Sequence, residues 1–173
     1  QKAMMHDVDI MAVGDSDFQK TPRPEGEIRI AQGALTRTPG TPSFDDVKVG
    51  DELPVHHTRL SRGDLVNYAG VAGDANPIHW DDEIAKQVGL DTAIAHGMLT
   101  MGLTGKMVTN YVGDGRLKKF GVRFTNQVWP GDTLTATATV AEIRDGEVDI
   151  TISTVNQDGK EVMTGTATAR IDA

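Results

Sequence analysis

Between Tyr68 and Ala85 the chain reads Tyr-Ala-Gly-Val-Ala-Gly-Asp-Ala-Asn-Pro-Ile-His-Trp-Asp-Asp-Glu-Ile-Ala, and two residues of this segment, Asp74 and His79, pair a carboxyl with an imidazole. They are five residues apart, joined through Asn76-Pro77. Pro77 fixes its own φ and restricts the backbone of Asn76, so the connection is stiff. A stiff loop can hold the two groups at a fixed separation, which acid–base catalysis requires. A second segment, Ile94-Ala95-His96-Gly97-Met98-Leu99-Thr100, opens an apolar helical run. A helix starting there presents free backbone N–H groups, and Gly97 leaves room for a substrate oxygen to approach one. An acid/base pair with an oxyanion donor suits proton abstraction beside a thioester carbonyl. Taken singly, each element has an ordinary explanation: Asp and Asn-Pro form turns, and a lone His is commonly structural. The order and spacing in combination favour chemistry.

The elements that must position these residues are legible on either side. A strand is expected over Leu53 to Leu60, and Ser61 with Asp64 resembles a capping pair ahead of an apolar stripe at Leu65, Val66, Tyr68 and Ala69. Gly70 and Gly73 are expected to end that helix. Asp81 or Asp82 caps a second short helix closed by Gly89. A third helix, from about Gly97 to Val112, carries apolar residues around most of its circumference and reads as buried nearly all round. Gly102 and Gly105 inside it would recover their helix penalty by close approach to a sheet. Alternation then marks four consecutive antiparallel strands: Leu134, Ala136, Ala138 and Val140 alternate with threonines, and Asp145-Gly146 and Asp158-Gly159 signal hairpins. The fold class is α+β, with a curved antiparallel sheet wrapped around a central buried helix.

Composition sets the limits. The chain has 173 residues, 17 basic and 25 acidic side chains, and no cysteine. Disulfides, thiolate nucleophiles and Cys-type metal sites are thereby excluded. A net charge of −8 argues against nucleic-acid binding. No apolar stretch suits a bilayer span, and the first residues lack a secretory signal pattern, so a soluble, cytoplasmic protein with no membrane insertion is expected. Four of the seven prolines precede residue 44. Residues 1–43 are expected to be a poorly structured extension or linker, and 44–173 the folded domain. Residues 1–44 carry five basic and six acidic side chains, so the acidic excess belongs to that domain.

The stretch GDANPIH, with Tyr68 upstream and Ala85 downstream, together with AHGMLTMG and the WPGDTL turn, resembles the MaoC-like hotdog family of (R)-specific hydratases and dehydratases over residues 44–173. Within it, DLVNYAGVAGDANPIHWDDEIAKQVGLDTAIAHGMLTMG is similar to the catalytic B subunits of mycolic-acid (3R)-hydroxyacyl-ACP dehydratases. The resemblance implies a hotdog fold and reversible dehydration of (3R)-hydroxyacyl thioesters. It implies that Asp74 and His79 are the catalytic pair and that Gly97 supplies the oxyanion-hole amide. Asn76, Tyr68 and His96 would position substrate or loop, His96 chiefly as a structural residue. Some members carry a serine at the position of Gly102, hydrogen-bonded to the active-site carboxylate; its absence leaves water or Thr104 to orient Asp74.

Arg116, Lys118, Lys119 and Arg123 cluster between the third helix and the next strand, either as a solvated basic loop or as a docking patch for coenzyme A phosphates or an acyl carrier protein. No metal or cofactor is expected beyond the phosphopantetheine that carries the substrate. The family resemblance implies a homodimer, or a heterodimer with a homologous hotdog subunit. Two other readings stand beside dehydration on acyl carrier protein: (R)-specific enoyl-CoA hydration in β-oxidation or polyester supply, and a non-catalytic acyl-binding partner subunit. A hotdog thioesterase fits less well, because the third helix offers Lys106 and no carboxylate.

Overall fold

Alternation in the last third of the chain becomes four strands: β2 (Leu117–Phe124), β3 (Thr133–Arg144), β4 (Glu147–Val155) and β5 (Glu161–Arg170). They are preceded by β1 (His56–Arg59), α1 (Arg62–Ala72), α2 (Asp82–Gln87) and α3 (Gly97–Val112), with 3₁₀ turns at Phe44–Asp46 and Pro77–His79. The computed structural model describes residues 41–171, so the expected extension lies outside the described residues apart from 41–43. All pairings in the sheet are antiparallel, in the order β1-β3-β4-β5-β2. Both hairpin signals turn the chain: Asp145 and Gly146 adopt φ of 40° and 81°, the primed turn geometry that suits a right-twisted hairpin.

The buried face of β3 is Leu134, Ala136, Ala138 and Val140, and that of β4 is Val148, Ile150 and Ile152. Val108 and Val112 of α3 lie in this core with Met107, while Leu99, Met101 and Leu103 pack on a second cluster around Leu65 and Met163. Alanines at 136, 138, 167 and 169 let the helix approach the sheet closely. This is the hotdog arrangement. Among the described residues no helix is long and apolar enough to cross a membrane.

Three expectations need correction. The first strand does not fill Leu53 to Leu60. Glu52 bridges Thr139 and Leu53 donates to Ala138, but Pro54 has no N–H to offer, and the register slips by one before β1 begins at His56. Gly70 lies inside α1, which ends at Gly73 in the left-handed region (φ 71°). The third helix is not buried all round: Met98, Gly102, Lys106 and Asn110, spaced four apart, form an exposed stripe.

That stripe separates its two interior glycines. A Cβ at Gly105 would lie 3.0 Å from the Phe120 ring, whereas one at Gly102 meets nothing within 4 Å. Gly105→Ala should therefore lower the melting temperature, with overpacking costing about 1–3 kcal/mol. Gly102→Ala should raise it, by about 0.5–1 kcal/mol of helix propensity. Thermal melts of the two variants with the same sign would contradict the packing described.

Candidate active site

α1 begins at a capping box: Ser61 Oγ accepts from the Asp64 amide and the Asp64 carboxylate accepts from the Ser61 N–H. From its C-cap the chain runs into a short loop that ends in a single 3₁₀ turn. Asn76 Oδ1 accepts from Ile78 N–H at 3.2 Å, and the Trp80 indole donates to Ala75 O at 3.2 Å. These bonds brace the bend that Pro77 stiffens, and they deliver Asp74 and His79 to one place: His79 Nε2 lies 3.8 Å from Asp74 Oδ2.

The imidazole is held from its other side. His79 Nδ1 donates to Ile94 O at 2.7 Å, which fixes the tautomer and leaves a lone pair on Nε2 facing Asp74. Burial holds the His79 pKa below that of a free imidazole; the bond to Ile94 opposes this, His96 adds to it, and Asp74 opposes it. The side chain of His79 is 12% exposed and that of Asp74 54%, so the pair has a buried base and an open carboxyl. His96 occupies the N-cap position of α3 without a side-chain capping bond and is 3% exposed. Its ring stacks on His79 with centroids 3.6 Å apart, and Tyr68 meets it edge-on at 5.0 Å. Gly97 follows directly. Among the described residues no acceptor takes the N–H of Gly97 or Met98, so the start of α3 offers two free donors beside the pair.

Donor atoms of Asp74, His79 and His96 all lie within 4.8 Å of one another. Stacked rings, however, direct their lone pairs in nearly parallel planes. A metal about 2.1 Å from both nitrogens would sit well out of the plane of at least one ring. The trio suits proton transfer better than coordination.

A neighbouring carboxylate, whose role was not foreseen, fixes the segment that carries Ile94. Asp81 caps α2, accepting from Glu83 and Ile84, which frees Asp82 for longer bonds. Asp82 accepts from Arg62 at 2.6 Å, Thr92 Oγ1 at 2.5 Å and Ala93 N–H at 2.8 Å. The Thr92 and Ala93 bonds, then the Arg62 bond, hold its pKa far below the usual carboxylate range. A depressed folded pKa contributes stability in full above the unfolded value of about 3.9 and loses it as pH falls through the lower folded value. Asp82→Asn should therefore lower the melting temperature most at pH 7 and progressively less as pH falls below about 3; a loss unchanged down to about pH 2 would mean the charge is not what matters. The only sequence signal was the Asp-Asp doublet.

Thr104 does not orient Asp74. It is 1% exposed, and its hydroxyl pairs with that of Thr154 at 2.9 Å between α3 and β4. Asp74 Oδ1 instead faces the Asn76 N–H at 3.4 Å, and its backbone carbonyl accepts from His96 Nε2 at 3.1 Å. The basic cluster also divides. Arg116 is 3% exposed and cannot line a docking surface, and Lys118, Lys119 and Arg123 stand on β2 rather than in a loop. Lys118 is paired with Glu147. A recess of about 160 Å³ lined by Pro54, Val55, His56, Met107, Asn110 and Tyr111 lies along the second half of α3 and does not reach the pair.

A model of the MaoC-like domain matches residues 44–162, most of the chain and the whole of this site. The chain belongs to the MaoC-like family. The (R)-specific enoyl-CoA hydratase of Rhodospirillum rubrum is 33% identical to this MaoC-like domain over 133 residues, 75% of the chain and 92% of that protein. This places it among the hydro-lyases, which add or remove water at a carbon–carbon double bond. The unliganded R-hydratase PhaJ1 from Pseudomonas aeruginosa has the same fold, with a TM-score of 0.70 and 29% identity over 75% of this chain and 85% of that one. A solved MaoC-like dehydratase is 47% identical with a TM-score of 0.73; it covers 99% of this chain, which spans only 52% of its length.

Proposed function

We propose that the MaoC-like domain catalyses reversible hydration of trans-2-enoyl thioesters to (3R)-hydroxyacyl thioesters, carried on coenzyme A. The observation that carries this reading is the fixed His79 tautomer, with its Nε2 lone pair 3.8 Å from the Asp74 carboxyl. A water held between the two groups stands on one side of a bound acyl chain. In hydration its oxygen bonds to C3, one proton passes to the pair, and the pair returns a proton to C2. Dehydration is the reverse. The electron pair displaced from the double bond resides on the thioester oxygen in the transition state, where the free amide of Gly97 receives it. Such a donor contributes about 3–4 kcal/mol when aimed at developing charge.

Coenzyme A is favoured over acyl carrier protein by two observations. The Rhodospirillum rubrum relative, matched over 92% of its length, is an enoyl-CoA hydratase, and a further relative matched over 64% of its length is a 3-hydroxybutyryl-CoA dehydratase. Lys119 and Arg123, exposed on β2, remain as candidate contacts for CoA phosphates.

The pair is open to solvent, and the apolar side chains of Trp80, Met98 and Phe124 are 47%, 57% and 46% exposed on segments adjoining it. A second hotdog unit covering them would exclude water and complete an acyl channel. The 47%-identical structure, about twice as long, is consistent with two such units in one chain. Crotonyl-CoA hydration, followed as loss of the enone absorbance, tests the activity. Turnover with crotonyl-CoA but not with the carrier-protein thioester supports this reading, and the opposite preference restores the carrier-protein alternative. Inactivity with both, alone and with a co-expressed homologous hotdog subunit, would leave an acyl-binding partner as the better description.

A further inference from the structure

We propose that His96 is a positioning residue that holds both members of the catalytic pair at once, by stacking on the His79 ring and by donating from Nε2 to the backbone carbonyl of Asp74. The inference rests on the hydratase reading, and it makes the expected positioning role of His96 specific: which two groups it holds and through which atoms.

The contacts define what the side chain can do. His96 Nε2 lies 3.1 Å from Asp74 O, an acceptor without a hydrogen, so the hydrogen of the ring must reside on Nε2. Nδ1 then carries a lone pair, and it is buried without a hydrogen-bond partner among the described residues. The opposite tautomer would set the Nε2 lone pair against the carbonyl and bury an unpaired N–H, which is worse on both counts. His96 is thus confined to one tautomer, and its ring has its own restraints: it occupies the N-cap position of α3, and Tyr68 packs against it edge-on at 5.0 Å.

Each contact acts on a different catalytic group. The stack, with planes 21° apart, sets the ring plane of His79, whose Nδ1 bond to Ile94 fixes only one point of that ring. The Nε2–H bond ties the backbone at Asp74, where the loop leaves the end of α1. Asp74 itself is otherwise weakly held, with its carboxyl 3.4 Å from the Asn76 amide. Because His96 immediately precedes Gly97, the same residue also sets both groups relative to the free amide at the start of α3. The groups facing His96 are Tyr68 from α1, Asp74 from the loop and His79 from the 3₁₀ turn.

Three variants of the full chain separate the two contacts. His96→Phe keeps a stacking ring and loses the donor; His96→Gln keeps a donor and loses the ring; His96→Ala loses both. Each should lower kcat for crotonyl-CoA hydration by about tenfold or more with KM changed less, since positioning is lost rather than binding. In the Gln and Ala variants, water reaching His79 should move the acid limb of the pH profile upward, because burial is the main cause of its lowered pKa. The Phe variant keeps the burial and loses only the smaller contribution of His96, so its limb should move upward less than in the other two. If all three keep kcat within about twofold and lose only thermal stability, His96 serves packing at the start of α3 and the proposal fails.

Nitrogen-15 NMR of the imidazoles decides the claim without reference to turnover. In the wild type, His96 should show the Nε2–H tautomer and His79 the Nδ1–H tautomer; in His96→Ala, His79 should keep its Nδ1–H bond to Ile94 but gain ring mobility, read as lowered order of its ring C–H bonds. An Nδ1–H tautomer at His96, or an unchanged His79 in the variant, overturns the proposal. Wild-type inactivity on every thioester would instead reject the hydratase reading, with the NMR result still deciding whether His96 positions the pair.

Discussion

His79→Ala is expected to lower kcat for crotonyl-CoA hydration by at least about 100-fold, and Asp74→Asn by a similar factor. The reason is the acidity problem. A proton next to a thioester carbonyl is too weakly acidic for an imidazole to remove unaided, and hydroxide is a poor leaving group, so both ends of the reaction need positioned proton transfer. His79 is held as a neutral base by burial, its bond to Ile94 fixes which nitrogen carries the hydrogen, and Asp74 faces the free one. Asn at position 74 keeps the shape and an acceptor oxygen but cannot exchange a proton, so its loss measures chemistry rather than packing. The carboxyl is half exposed, and its replacement should leave the melting temperature nearly unchanged. Since the two act as a unit, the double variant should be less than about tenfold worse than the poorer single one. Near wild-type turnover by either single variant would remove that residue from the mechanism. The lowered pKa of His79 further places the acid limb of kcat/KM below about pH 6.5, the ordinary imidazole value. A limb above pH 7 would contradict a buried neutral base.

Much of this arrangement could be read before any coordinates. Ser61 and Asp64, Asp145-Gly146, and the alternation along Leu134 to Val140 carry their own local physics, and each formed the element it signalled. The 3₁₀ turn at Pro77–His79 follows from Asn76-Pro77, whose restricted backbone leaves few conformations. What failed depended on contacts distant in sequence. The apolar circumference of α3 could not reveal that Met98 and Gly102 face outward, because an apolar residue on the open face of a helix reads the same in sequence as one in the core. The first strand was overextended because Pro54 sits among residues that otherwise favour a strand.

The site divides in the same way. Order and spacing, which survive in a linear sequence, single out Asp74, His79 and Gly97, and the fold brings Asp74 and His79 within 3.8 Å with the residue before Gly97 stacked on His79. The Asp82 bonds to Arg62 and Thr92 join residues 20 and 10 positions away, and no local pattern encodes them. Likewise Thr104, polar and two residues after Gly102 on the same helix, is a reasonable partner for a carboxylate until β4 brings Thr154 opposite it. Arg116 looked like part of a basic surface because charge alone does not report burial.

Gly97→Ala should lower kcat by about 100-fold while leaving a folded protein, the scale at which loss of one oxyanion donor is felt. The added Cβ would lie 3.1 Å from two atoms of the Phe124 ring and 3.3 Å from a third, closer than ordinary packing allows. Phe124 is 46% exposed on an edge strand and can swing aside, so the fold survives. The methyl nevertheless occupies space next to the N–H that should receive the thioester oxygen, and the displaced ring or helix start moves that amide. Substrate can still bind through its acyl chain and carrier, so KM should change less than kcat; the loss is of an interaction made chiefly in the transition state. Gly102→Ala provides the contrast, since its Cβ enters open space two residues before Thr104 on the same helix. If Gly97→Ala hydrates crotonyl-CoA at the wild-type rate, the oxyanion donor lies elsewhere, and the neighbouring free amide of Met98 becomes the first alternative to examine.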